Sequence, residues 1–316
     1  MKRGSRRVAT VAKPHARFTQ SDVRAAVAGL KGSVSFRAPL REYTSFKIGG
    51  PADVVCEPAD IEDVCLLVRQ ARAHKVPLFV LGGTNLLVRD GGIRGIVVSL
   101  ARLRTIKEEP GAVLYAEGGV GMPTLIGYAI RHSLAGLEWA AGIPGTVAGC
   151  VVMNAGTKLG EMKDSIKAVR MVNMKGQVVE LDAANITFEY RRALLSRGIV
   201  VGVWLRLTQG VRSDIERVVK DYLHYRRDTQ PLAMPSAGCV FKNPPNDSAG
   251  RLIEEAGLKG ARVGDAEVSM KHANFMVNRG QASAADVLAL IAKVRHSIRR
   301  RAGVRLDLEL KIVGKT

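Results

Sequence analysis

The sequence predicts an α+β protein in two parts, and three observations carry that prediction. Apolar residues recur at helical spacing in some segments and as short alternating or continuous runs in others. Glycine-rich punctuation bounds most of the short runs, as strands and their turns require. The pattern changes character at Gly210, and neither part contains an internal repeat or a low-complexity segment.

Taken in order, residues 1–30 read as a basic tail, solvated and flexible. Lys2, Arg3, Arg6, Arg7, Lys13 and Arg17 precede the first acidic residue, Asp22. "APLREYTSFKIGGPADVVCEP" follows as loop and strand pieces broken at Gly49-Gly50-Pro51. Asp60 then caps a helix whose stripe is Ile61, Val64, Leu67, Val68 and Ala71. "LFVLGG", "GIVVSL" and "AVLYAEGG" read as strands, and Pro123 to Ser133 as a helix. "KAVRMVNMKGQVVELD" is a hairpin turning at Lys175-Gly176, followed by the strand "VVGVWLRL". Beyond Gly210 come a helix bearing Ile215, Val218, Val219 and Tyr222, and a second, "SAGRLIEEAG", closed near Gly257. The last helix begins at Ser283, with Asp286 as capping-box partner and Val287, Leu290, Ile291, Val294 and Ile298 as its stripe. "VRLDLELKI" closes the chain as an alternating strand. These elements divide it into 31–210, split near residue 98, and 211–316.

Composition narrows the function classes. A hydrophobic fraction of 47% supports a real core, and no apolar run reaches the ~18 residues of a membrane span. "MKRGSRRVATVAKPHARF" lacks the apolar stretch of a secretory signal, so a cytoplasmic location is expected. Cys56, Cys65, Cys150 and Cys239 lie far apart with no CxxC pair, which argues against a metal site or a disulfide framework. The net charge of +19 suits an anionic substrate or cofactor. Aromatics make up only 5%, and no basic–aromatic stacking platform is present, so no nucleic-acid partner is expected.

Five segments carry possible chemistry. "TSFKIGGPAD" and "LGGTNLLVRDGG" place adjacent glycines after strands, where backbone N–H groups form either an anion nest or an ordinary tight turn. Neither is a GxGxxG. "AGIPGTVAGCVVMNAG" leaves room either for a flat ligand or for close packing. "FEYRRALL" presents Arg191, an anion-binding fork or an exposed cation. "PSAGCVFKNP" sets Cys239 beside Lys242 and Asn243; the thiol is a working acid or a small core residue.

Together with "AGRLIEEAGLKG", "VSMKHANFMVN" and "LDLEL", these segments resemble, in order, the UDP-N-acetylenolpyruvoylglucosamine reductase (MurB) family, from about Tyr43 to Glu309. The short C-terminal region resembles its type II form. The resemblance implies a two-part FAD-binding domain of the vanillyl-alcohol-oxidase (PCMH) type and a smaller C-terminal α+β substrate domain. It implies FAD contacts from Ile48, Gly49, Gly50, Gly82, Gly83, Thr84, Asn85 and Leu86. Further contacts are implied from Gly142, Ile143, Pro144, Gly145 and Gly149, and from Asn154, Ala155 and Gly156. NADPH is the implied co-substrate and a nucleotide sugar the implied substrate, handled by a monomer. Arg191 and Glu309 match positions that stabilise an enolate-like intermediate, and Cys239 stands where the family usually has the proton-donating serine. Tyr190, Lys242 and Asn243 match substrate-binding positions. Two departures are visible: "LGGTN" is one residue shorter than the family's Leu-Gly-x-Gly-Ser/Thr-Asn, and Arg192-Ala193 replace its usual continuation after Tyr-Arg. The same scaffold also serves flavin oxidases of alcohols and aldehydes, the alternative reading.

Overall fold

The computed structural model describes residues 18–82 and 84–316. The tail cations listed above and Gly83 lie outside the described residues. The tail ends earlier than composition suggests, because residues 20–26 form helix α1 (Gln20–Ala26), capped by Thr19 and Asp22. Its Val23 and Ala26 are buried against helix α2 (Ile61–Ala73), so this segment is part of the fold.

The first sheet takes the strand order Ser33–Phe36, Ala52–Glu57, Ile93–Ser99, Leu78–Leu81, the last three parallel. Both of its faces are covered, which explains the continuous run "DVVCE". Val54 and Cys56 face the core containing α2, while Ala52 and Val55 face a smaller core with Leu40, Leu86 and Val88. A second, wholly antiparallel sheet has the order Val178–Asp182, Ile166–Asn173, Gly198–Arg206, Val113–Glu117, Ile106–Glu109. The hairpin at Lys175-Gly176 joins its first two strands, as expected. Helices α3 (Met122–Arg131) and α4 (Val147–Val152) pack with this sheet into the main core.

Gly210 marks the end of the sheet strands, but not of the first unit's packing. Helix α5 (Arg212–Thr229) lays its apolar face on α3 and the segment after it, and Val219 and Tyr222 belong to the main core. A separate core begins at Ala237. It surrounds a four-stranded antiparallel sheet (Ser236–Cys239, Phe275–Asn278, Ala266–Val268, Arg262–Val263) covered by α6 (Ala249–Glu255) and α7 (Ala284–Ala302). The Ser283/Asp286 capping box of α7 forms as expected.

The two parts are sewn together. Phe46, Ile48 and Leu87 insert into the C-terminal core. Asp90 accepts hydrogen bonds from Ala284 N (2.8 Å) and Ala285 N (3.0 Å), a second cap on α7 donated by the first part. The closing segment differs from the expected single strand. Only Leu308 bridges Phe241, and only Lys311–Val313 pairs, in parallel, with Leu86–Val88. The cause is a shared acceptor: Glu309 N and Leu310 N both donate to one carbonyl, Val240 O, so the chain bends there rather than continuing a ladder.

Candidate active site

Cys239 ends the strand Ser236–Cys239 just past a register shift between Ser236 and Cys239, with Gly238 in the left-handed region at φ 73°. Such a bulge turns a side chain away from the regular pleat. The next residues are held rigidly. Asn274, buried, accepts from Phe241 N (3.0 Å) and donates to Phe241 O (2.8 Å), while Val240 O receives Glu309 N at 2.9 Å. This last bond carries Glu309 to the thiol. Cys239 is partly buried, and its thiol is pushed up to about 12, mainly by burial and then by Glu309, against the pull of Arg191 and Arg226. It is a neutral thiol at physiological pH.

Arg191 arrives from the other part of the chain. The strands Thr187–Glu189 and Arg192–Leu194 form a hairpin whose two-residue turn is Tyr190-Arg191. Arg191 has φ 58°, the left-handed conformation a two-residue hairpin turn requires, at a cost of order 1 kcal/mol for a side-chain-bearing residue. Its Nε donates to Glu309 Oε1 at 3.1 Å, and its guanidinium lies 5.0 Å from the centre of the exposed Tyr190 ring. Burial raises the Glu309 carboxyl above its ordinary range, opposed by Arg191 and Lys242. Cys239, Arg191, Glu309, Tyr190 and Lys242 are thus gathered from three distant segments. The Asn243 side-chain oxygen accepts from Ala249 N (3.1 Å) at the start of α6.

The expected cofactor positions fall into groups. Gly82, Gly145 and Gly149 converge: a Cβ on Gly82 would stand 3.5 Å from Gly149 Cα, and one on Gly145 would stand 3.4 Å from Thr84 Cγ2. Thr146 Oγ1 donates to Gly82 O at 3.2 Å, fixing the two loops to each other. Gly142 lies beside Arg226, Ile143 and Pro144 continue the same turn, and Leu86 is buried in the strand beyond. Asn85 donates to Glu309 O (3.1 Å), linking this loop to the backbone of Glu309. Ile48, Gly49 and Gly50 instead line a polar cleft of 570 Å³ with Arg41, Lys47, Asp90 and residues 280–283. Gly50 is also demanded by packing, since a Cβ there would meet Asp90 O at 1.9 Å. Asn154 is buried with its side chain committed to Glu161, Glu189 O and Lys163 N, and Ala155 bonds back to Cys150 O. Gly156 leaves the space that Arg191 Nη1 occupies.

Residues outside the expected set also border the site. Trp139 Nε1 and Arg226 Nε are buried donors without an acceptor among the described residues; Arg226 packs against Gly142, and the Trp139 side chain against Gly160. Arg226 had a signal in the sequence: it extends the α5 stripe Ile215, Val219, Tyr222 by a further four positions, where an apolar residue belongs.

Residues 230–313 match the family described as "UDP-N-acetylenolpyruvoylglucosamine reductase, C-terminal domain", and residues 52–182 match "FAD binding domain". A UDP-N-acetylenolpyruvoylglucosamine reductase of Moorella thermoacetica is 46% identical over 289 residues, 91% of this chain and 95% of the relative. One from Caldanaerobacter subterraneus is 41% identical over 90% of this chain and 95% of the relative. The crystal structure of MurB from Thermus caldophilus superposes with a TM-score of 0.77 at 37% identity, covering 90% of this chain and 99% of that one. The site suits the dinucleotide that the matched domain binds: side-chain-free backbone converges at Gly82, Gly145 and Gly149, and the unpaired buried donor Arg226 Nε belongs to a side chain packed on Gly142. Over nine-tenths of its length, the chain belongs to the UDP-N-acetylenolpyruvoylglucosamine reductase family.

Proposed function

We propose that Cys239, Arg191 and Glu309 are the catalytic set of an FAD-dependent reductase. The enzyme reduces UDP-N-acetylenolpyruvoylglucosamine to UDP-N-acetylmuramate, a step of peptidoglycan precursor synthesis, with NADPH as electron source. The observation that carries the reading is the meeting of a neutral thiol, a guanidinium and a raised carboxyl from three segments far apart in sequence.

Bound FAD, reduced by NADPH, supplies the hydride that adds to the β-carbon of the enolpyruvyl ether. The residues of this chain handle the charge and the proton. As negative charge builds on the substrate carboxylate, Arg191 meets it with a fixed fork, held by Glu309 and by the strained turn. Glu309, raised by burial, shares a proton there instead of opposing the charge as a bare carboxylate. The Cys239 thiol gives its proton to the α-carbon. Tyr190 and Lys242 border the same space and bind the nucleotide sugar. Gly82, Thr84, Asn85 and the turn 142–149 hold the cofactor.

Among the described residues, no helix is long and apolar enough to cross a membrane. Four unpaired thiols support a reducing compartment, and we read the enzyme as a cytoplasmic monomer. The test is optical. The purified protein should be yellow, bleach anaerobically with NADPH, and regain its colour on adding the enolpyruvyl nucleotide sugar. A colourless protein that FAD does not reconstitute overturns the reading.

A further inference from the structure

His272 stands at the turn between the strands Ala266–Val268 and Phe275–Asn278, and its ring serves there as an acceptor. Ser269 Oγ takes Lys271 N (3.1 Å) and His272 N (3.3 Å), while Phe275 N donates to His272 O at 2.9 Å. The turn so closed brings Asn274 N to His272 Nδ1, where it donates at 3.2 Å. The half-buried ring lies 4.8 Å from the Phe275 ring. It also meets α6, where a Cβ on Gly250 would stand 3.5 Å from Cε1.

Asn274 and Phe275, which the ring touches, both hold the segment of Cys239. Asn274 clamps the two residues after the thiol at three points. Its carbonyl accepts from Val240 N (2.9 Å), and its side chain engages Phe241 N (3.0 Å) and Phe241 O (2.8 Å). Phe275 is the ladder partner of Cys239 itself. An imidazole nitrogen accepts a hydrogen bond only while it carries no proton, so the bond from Asn274 N requires the neutral ring. Protonation makes Nδ1 a donor facing a donor. The carbonyl to which it could turn, His272 O, already receives Phe275 N.

We propose that His272 is a positioning residue for the reaction: its neutral ring locks the 272–275 turn onto Val240 and Phe241, so fixing the Cys239 thiol, and protonation of the ring releases that lock. The inference rests on the reading of Cys239 as proton donor. The charged groups acting on the ring are Glu254 of α6 and Lys259 just beyond it, which pair with each other. Lys271, beside it in the turn, extends its ammonium to Arg227 O. Burial, helped by Lys259, holds the ring below its ordinary midpoint of 6.5, against its own carbonyl and Glu254. The lock is therefore closed at neutral pH and opens on acidification below that value.

The test uses FAD-loaded protein and hydrogen–deuterium exchange, read on the peptide spanning Val240 and Phe241 and corrected for the intrinsic effect of pH on exchange. His272→Asn puts an amide oxygen within reach of Asn274 N and cannot titrate, whereas His272→Ala offers no acceptor. Between about pH 7.5 and about pH 5 the parent should lose protection in this peptide about fivefold, the weight of one net hydrogen bond. The asparagine variant should keep its protection, and the alanine variant should be as open at neutral pH as the parent is in acid. In stopped flow, substrate-driven recovery of flavin colour should fall with acid about fivefold further in the parent than in the asparagine variant, with bleaching by NADPH alike in both. Equal protection of the parent at the two pH values overturns the proposal, as does an asparagine variant that opens as far as the parent. An alanine variant protected like the parent at neutral pH also overturns it. If exchange follows His272 while Cys239→Ala leaves substrate reduction fast, the lock stands and the proton-donor reading alone fails.

Discussion

Replacing Cys239 by alanine separates the two halves of the reaction. The thiol is pushed up to about 12, so at pH 8 roughly one site in 10⁴ is ionised and the donor is loaded in almost every molecule. Removing a loaded general acid forfeits the 10²–10⁴-fold such a group typically contributes. Substrate-driven recovery of flavin absorbance, followed by anaerobic stopped flow, should therefore slow by about 10²–10⁴. Bleaching by NADPH, which draws no proton from this thiol, should stay within about twofold. Cys239→Ser, which keeps an O–H at the same place, should fall between parent and alanine. The parent's profile should show no descending limb from this group well below its midpoint of about 12. The reasoning is refuted by an alanine variant whose recovery with substrate stays within about threefold of the parent.

Other consequences are open to measurement. Gly156→Ala puts a Cβ 3.1 Å from Arg191 Nη1 and 2.6 Å from Glu161 Cβ; the displaced fork should slow the substrate half-reaction by about tenfold and spare the NADPH half, in the same stopped-flow traces. Asp90→Ala strips the added cap from α7 but leaves Ser283 and Asp286 in place; a loss of about 1–2 kcal/mol should appear as a melting temperature lower by roughly 2–8 °C. Alkaline pH should destabilise the fold through its thiols. Cys56, Cys150 and Cys239 are raised from 9.0 to about 12, so between those values the folded chain keeps protons that the unfolded chain has released. Their stabilisation is complete below pH 9 and is lost as pH climbs toward 12, and Cys150→Ala should flatten the fall of melting temperature with pH.

What the sequence discloses follows from how local the cause is. The turn at Gly176 and the box at Ser283 are settled by residues within four positions of each other, and both form where expected. The reach of α5 into the first unit is a tertiary matter. Its stripe says that one face is buried, and nothing in it says against which sheet. "VRLDLELKI" alternates as a strand does, and Leu306 and Leu310 are indeed buried. Its ladder fails at Glu309, because Val240 O, 69 residues earlier, takes two N–H groups. Residue chemistry alone left Cys239 undecided between core and acid. The family resemblance brought Arg191 and Glu309 to its side, and the geometry brings them together. Arg226 stands in the charged stretch "HYRRDT", and only its helical phase is that of a core residue.

Asn85 ties the loop after Leu78–Leu81 to the closing segment twice, through its side chain to Glu309 O and through its carbonyl to Lys311 N at 2.8 Å. On the proposed placement of the cofactor, the loop that would hold it and the segment that carries Glu309 share one joint. By thermodynamic reciprocity, whatever the loop gains by clasping the dinucleotide is felt at Glu309, and substrate that settles Glu309 tightens the clasp in return.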